Sequence, residues 1–207
     1  MTAKLDADRR APGSRTDAPT GLTAEQGRLM RDVMGHFATG VSVVSVWDAP
    51  GVPRGATANA ISSVSLDPPL LLVCLSSRSG TLAAIRAEGR FGVNILAAEQ
   101  RDHSDRFAKF GSAVGDHAVE FHDHEHGVPV LTGALATIAC DVEAIHRAGD
   151  HDIVVGLARH LEHSGKDARP LLFYRGSYSR IKIERDELAL PASRGPVDAA
   201  PTKRRAA

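Results

Sequence analysis

Between Gly55 and Thr81 the chain passes through small hydroxyl and amide residues, then a double proline, then an unbroken apolar run from Leu70 to Leu75, and finally Ser-Arg-Ser-Gly-Thr. No other stretch restricts the fold as much. A short apolar run bounded by Pro68-Pro69 and by serines predicts a strand buried on both faces. The small residues of Gly55 to Ser65 leave room for a flat ligand to lie against backbone N–H and C=O groups. Ser79-Gly80-Thr81 then opens a helical pattern that Gly89 ends. Hydroxyls and free backbone donors therefore fall at a helix N-terminus, which suits an anion and above all a phosphate.

On the N-terminal side, Thr23-Ala-Glu-Gln26 has the form of a capping box, and Leu29, Met30, Val33, Met34 and Phe37 share one face of the helix it predicts, which runs to Gly40. Val41 to Trp47 is β-branched, and Asp48 to Gly51 is turn chemistry leading to a second strand near Gly55, so the two predict a hairpin. Beyond the Thr81–Glu88 helix, Phe91 to Leu96 reads as a strand and Ala98 to Phe110 as a helix. Gly111 to Pro129, rich in Gly, His and Asp, reads as a surface loop. Leu135 to His146 and Ile153 to His163 predict a long hairpin turning at Arg147 to His151. Leu171 to Tyr174 and Tyr178 to Ile183 are expected to complete the sheet. The pattern is mainly β with a few helices.

A length of 207 residues with 43% hydrophobic residues suits one domain, expected over 23–184. The flanks, 1–22 and 185–207, carry almost no large apolar side chains and are expected to be disordered arms. No apolar run is long enough to span a membrane, and Arg9-Arg10 is followed by Ala-Pro-Gly-Ser rather than by the apolar segment of an export signal. A cytoplasmic protein is expected. Cys74 and Cys140 both lie in apolar strand-like runs and read as buried thiols rather than as a disulfide. With 25 basic against 25 acidic residues and no dense basic stripe, nucleic acid is not an expected partner.

Seven short words recur in register from about Val33 to Tyr178: Phe37-Ala-Thr-Gly-Val41, Gly55-x-Thr57-Ala-Asn59, Ser62 to Pro69, Phe91-x-Val-Asn94, Arg106-Phe107, Gly149-Asp150-His151 and Pro170-Leu-Leu-x-Tyr174. On these words the chain resembles the short-chain flavin reductases, whose fold is the FMN-binding split β-barrel of Greek-key type. The resemblance implies an NAD(P)H-dependent flavin reductase that transfers a hydride from NADH or NADPH to FMN or FAD. It also implies a homodimer that supplies reduced flavin to a flavin-dependent monooxygenase component. It would put Pro53, Gly55, Ala56, Thr57, Asn59 and Ala60 around the flavin ring and ribityl chain, with Cys74, Leu75 and Ser76 lining the same groove. Ser79, Gly80 and Thr81 would hold the phosphate, Arg78 or Arg106 would supply charge, and Phe107 would add contact. Gly149, Asp150 and His151 would border the nicotinamide, with His151 as the catalytic residue acting through positioning. Hydride transfer between two cofactors needs no protein nucleophile, and none is evident. A non-catalytic flavin-binding protein for storage or redox sensing, and a haem-handling relative of the same barrel, are the alternatives.

His117, His122, His124 and His126 invite a metal reading, since alternate histidines on a strand share a face. The stretch reads as a loop without an accompanying acidic or thiolate set, so no metal site is expected there.

Overall fold

Thr23 caps the first helix as its spacing predicts. Its hydroxyl accepts from the Gln26 N–H while the Gln26 side chain accepts from the Thr23 N–H, and the helix they open is α1 (Ala24–Met34). The computed structural model describes residues 23–109, 120–165 and 168–181. The two expected arms, His117 and residues 182–184 of the expected domain lie outside the described residues. After α1 come β1 (Thr39–Gly40), β2 (Ser42–Ala49), β3 (Val52–Ala58), β4 (Ile61–Leu66), β5 (Pro69–Ser76), α2 (Gly80–Glu88), β6 (Arg90–Ile95) and α3 (Arg101–Phe107). They are followed by β7 (Phe121–Asp123), β8 (Pro129–Leu131), β9 (Ala136–Ala148), β10 (His151–His163), β11 (Leu172–Tyr174) and β12 (Ser177–Ser179).

The main sheet is antiparallel throughout, in the order β3-β2-β6-β9-β10-β5-β4. Its edge strands, β3 and β4, are consecutive in the chain and separated only by Asn59-Ala60, so the twisted sheet must curl until its edges approach. No ladder joins them. The result is the mainly β fold that the sequence pattern predicts, arranged as the split barrel that the family resemblance implies. Among the described residues no helix is long and apolar enough to cross a membrane.

Side-chain alternation decides where the core lies. Val44 and Val46 of β2 point with Phe91, Val93, Leu71, Val73, Leu75 and Val154 into the barrel, where Leu82 and Ile85 of α2 join them. Val41 and Val43 point the other way, to a second cluster with Leu96, Phe107, Leu131 and Leu171. Strand β2 is therefore buried on both faces, as is its neighbour β6 from Phe91 to Asn94. The expectation that Leu70–Leu75 would be so is corrected: β5 alternates, with Leu71, Val73 and Leu75 buried and Leu70, Leu72 and Cys74 half-buried. Both cysteines are free, and burial pushes the Cys140 thiol up to about 12.

Four further expectations change, each through a non-local bond. Helix α1 stops at Met34 rather than Gly40, because the Gly35 carbonyl accepts from the Arg175 N–H at 2.9 Å and Thr39-Gly40 pair with β11 instead. Helix α3 starts at Arg101 rather than Ala98, since the Ala97 N–H is taken by the Gln100 side chain and the Ala98 N–H by the Arg169 carbonyl. Within the expected Gly111–Pro129 loop, β7 pairs with β8, and Val128 is buried; residues 111–119 lie outside the described residues. Strand β8 is pinned to the barrel by the buried Asn94, whose amide oxygen accepts from the Leu131 N–H at 2.7 Å. The last two strands do not complete the main sheet but form a separate sheet, β1-β11-β12. The second of them spans Ser177–Ser179, and Arg180 and Ile181 lie beyond its end; residues 182 and 183 of the expected strand lie outside the described residues.

Candidate functional site

Where β3 ends, the chain turns at Asn59-Ala60 and re-enters the sheet at β4, and this corner forms one wall of a cleft of about 250 Å³. Gly55, Ala56, Thr57, Ala58, Asn59 and Ala60, most of them small, form that wall, and Cys74, Leu75 and Ser76 at the end of β5 form the side next to it. The Cys74 N–H donates to the Ala60 carbonyl at 2.9 Å, so wall and side are one hydrogen-bonded surface. Ser79, Gly80 and Thr81 bring the N-terminus of α2, and Phe107, Ala108 and Lys109 bring the end of α3. His151 closes the remaining edge, opposite Ser76 in the β10–β5 ladder. Thirteen of the expected positions thus converge. Pro53, Arg106, Gly149 and Asp150 do not line the cleft.

The two glycines have separate jobs. A Cβ on Gly55 would lie 2.8 Å from the Phe107 ring, so this residue is small to seat Phe107 and with it α3. A Cβ on Gly80 would lie 2.8 Å from the Arg54 Nη1, so the first residue of α2 is small to admit a guanidinium. Arg54 also lines the cleft, and its Nη2 donates to Asp48 at 2.5 Å, which holds the Asp48 carboxyl below its usual range. The Nε of Arg54 is buried and has no hydrogen-bond partner. Helix α2 likewise begins on Ser79 with no side-chain bond to the cap. A guanidinium, an uncapped helix N-terminus and the Ser79 and Thr81 hydroxyls thus meet at one end of the cleft, and that end is built for an anion.

Thr57 spends its proton on structure. Its hydroxyl donates to the Ser104 carbonyl at 2.7 Å, while the fully buried Ser104 hydroxyl accepts from the Tyr178 hydroxyl at 2.9 Å, tying β3, α3 and β12 together. Asp152, one residue beyond His151 and buried, accepts from Arg86 of α2 at 2.6 Å and from the Ser77 hydroxyl. It anchors the turn that presents the α2 N-terminus. His151 itself is exposed and bonded through Nδ1 to Asp150 at 2.8 Å, a contact that lowers the Asp150 carboxyl's protonation range.

The lining residues hold no nucleophile paired with a base and no pair of carboxylates. They can bind and orient a flat anionic molecule. Arg54, Ala58, Ala108 and Lys109 were not among the sequence-derived positions. Arg54 meets Asp48 diagonally across the β2–β3 hairpin, where Val46 pairs with Arg54 and Trp47 with Pro53.

Residues 34–182 match the family described as "Flavin reductase like domain". The chain is 42% identical over 161 residues to a probable flavin reductase of Rhizobium meliloti, an alignment covering 76% of this chain and half the length of that relative. It is 38% identical over 171 residues to the reductase subunit HsaB of a flavin-dependent monooxygenase from Rhodococcus jostii, covering 82% of this chain and 85% of the relative. Among solved structures, the NADH:FAD oxidoreductase SgcE6 of Streptomyces globisporus in complex with NAD and FAD fragments superposes with a TM-score of 0.72 at 32% identity, over 81% of this chain and all of that one.

Proposed function

This chain belongs to the flavin reductase-like domain family, and from that premise we propose that it is an NADH-dependent flavin reductase that reduces FMN or FAD for a separate monooxygenase component. The observation that carries the reading is the shape and charge of one cleft, with a wall of backbone and small side chains at one end and an anion seat at the other. A flavin phosphate fits that seat on this chain's own terms. The unpartnered Arg54 Nε and the missing Cβ of Gly80 are what a bound phosphate would use.

In this reading Ala56 to Ala60 and Cys74 to Ser76 hold the flavin ring, while Ser79, Gly80, Thr81 and Arg54 hold its phosphate. Bound flavin supplies the hydride acceptor and NADH the hydride. His151, at the open edge, borders the nicotinamide and fixes its angle to the flavin ring; Gly149 and Asp150 set the turn that carries His151, and the Asp150 carboxylate orients its ring. Fixed N–H donors along the Asn59-Ala60 corner stabilise negative charge as it develops on the ring.

The same reading makes the protein a homodimer. Leu29, Met30, Val33 and Met34 crowd one side of α1 and, with Phe37, are more than half exposed, an apolar face that a second copy of the chain would cover. Free rather than paired cysteines support a reducing, cytoplasmic setting.

NADH oxidation by catalytic amounts of the full chain tests the proposal. Turnover is expected only when FMN or FAD is added or already bound, and with NADH in preference to NADPH. Equal rates with and without flavin would remove the reductase reading. His151→Ala should raise the KM for NADH and slow single-turnover flavin reduction while FMN affinity holds; unchanged kinetics would free His151 of its role.

A further inference from the structure

Far from the cleft, at the other end of β10, imidazoles from two distant parts of the chain come together. Nine residues separate His151 from His160, about 30 Å of extended strand. The His160 ring lies 4.3 Å from that of His124 and 5.6 Å from that of His126, while the His124 and His126 rings are stacked at 5.5 Å. Glu162, on the same face of β10 as His160 by strand alternation, bonds through Oε1 to the His160 Nε2 at 3.0 Å. One donor atom each of His124, His160 and Glu162 lies within 4.8 Å of the others.

We propose that His124, His160 and Glu162, with His126 as a fourth donor, bind a divalent transition metal, zinc first among them. Two neutral imidazoles and a carboxylate with a third imidazole beside them are a donor set of the kind zinc takes, and a borderline-soft ion prefers it over magnesium or calcium. Zinc–ligand bonds of about 2.0–2.1 Å set tetrahedral donors roughly 3.3 Å apart, so donors that now lie up to 4.8 Å apart must close by up to about 1.5 Å. Glu162 and His126 are exposed and free to rotate inwards. His124 currently lends its Nδ1 to the His126 N–H at 3.3 Å, a long bond that ligation replaces at little cost. His160 would bind through Nε2, with its proton on Nδ1, which releases the Glu162 carboxylate to the metal.

The geometry also says what such an ion does. His124 and His126 sit between β7 and β8, and His160 and Glu162 on the long β9–β10 hairpin. A metal there would clip a short two-stranded sheet onto the barrel, a role in stability separate from the cleft.

Calorimetric titration of the untagged, chelator-treated full chain with Zn2+ alone tests this. One equivalent should bind with micromolar or tighter affinity. His124→Ala and His160→Ala should each weaken it at least about tenfold, as loss of a ligand does in other sites. His146→Ala, on β9 and outside the cluster, should leave the equivalent intact, which separates a site from histidine stickiness. Co2+ should give the intense visible bands of tetrahedral coordination in the parent chain and lose them in the double variant. Retained NADH oxidation in the variants would show that they fold. Absence of a saturable equivalent at about a hundred micromolar, or equal zinc affinity in the His124→Ala/His160→Ala double variant, would overturn the site.

Discussion

Helix α1 begins on a completed capping box and buries none of its residues, whereas α2 begins on Ser79 without a side-chain cap and buries Thr81, Leu82, Ala84 and Ile85. The first helix is stable by local means: reciprocal bonds between Thr23 and Gln26, with Glu25 in the first turn and Arg31 in the last. The second is held by packing inside the barrel and by the Arg86–Asp152 ion pair, and its N-terminal donors are left unspent. The contrast separates a helix whose polar end is finished and whose apolar side waits for a partner from one whose apolar side is finished and whose polar end waits for a ligand. In the proposed function each unfinished part is assigned an interaction, a second copy of the chain for α1 and a phosphate for α2.

The largest expected effect falls on α1. Met30→Glu combined with Val33→Glu should convert a dimer entirely to monomer in sedimentation velocity, because like charges that cannot pair with one another would be buried. A parent chain that sediments as a monomer would remove the homodimer and leave that face unexplained.

A smaller effect is expected at α2. Ser79→Ala with Thr81→Ala removes two hydroxyl donors from the anion seat, each bond to a charged group contributing about 1.5–3 kcal/mol and the pair less than additive. FMN affinity should fall at least about tenfold, while riboflavin, which lacks a phosphate, should lose little. Equal losses for the two would move the phosphate seat elsewhere in the molecule.

The smallest change is Thr23→Ala. Loss of a cap costs about 1 kcal/mol in a typical helix. Since α1 buries nothing within its own chain, the cost should show as fraying by circular dichroism, with FMN affinity untouched. A drop in FMN binding would mean that α1 and the cleft are coupled, and the comparison between the helices would fail.

Much of this was legible because its signals are local. The capping box at Thr23, the αL stop at Gly89, the turn between β2 and β3 and the long β9–β10 hairpin each depend on residues a few positions apart. So does the crowding of small residues from Gly55 to Ala60; the thirteen expected positions that meet in one cleft are ones that the family resemblance implied. What could not be read depends on which strands become neighbours. Nothing near Arg54 in sequence says that it will lie against Gly80, and the leucines of β5 are indistinguishable in type from a strand buried on both faces.

Sequence by itself determined the elements, their turns and the chemistry available to the β3–β4 corner, because backbone propensity, capping and side-chain alternation act over one or two turns of chain. Tertiary structure alone decided that β2 rather than β5 runs through the middle of two cores, that β1 draws β11 and β12 into a sheet of their own, and that His124 meets His160 and Glu162. The physical reason is the same for all three. Such pairings follow from how a twisted antiparallel sheet curls and which edges it brings within reach, and the burial of apolar surface that drives the curling is a property of the whole chain.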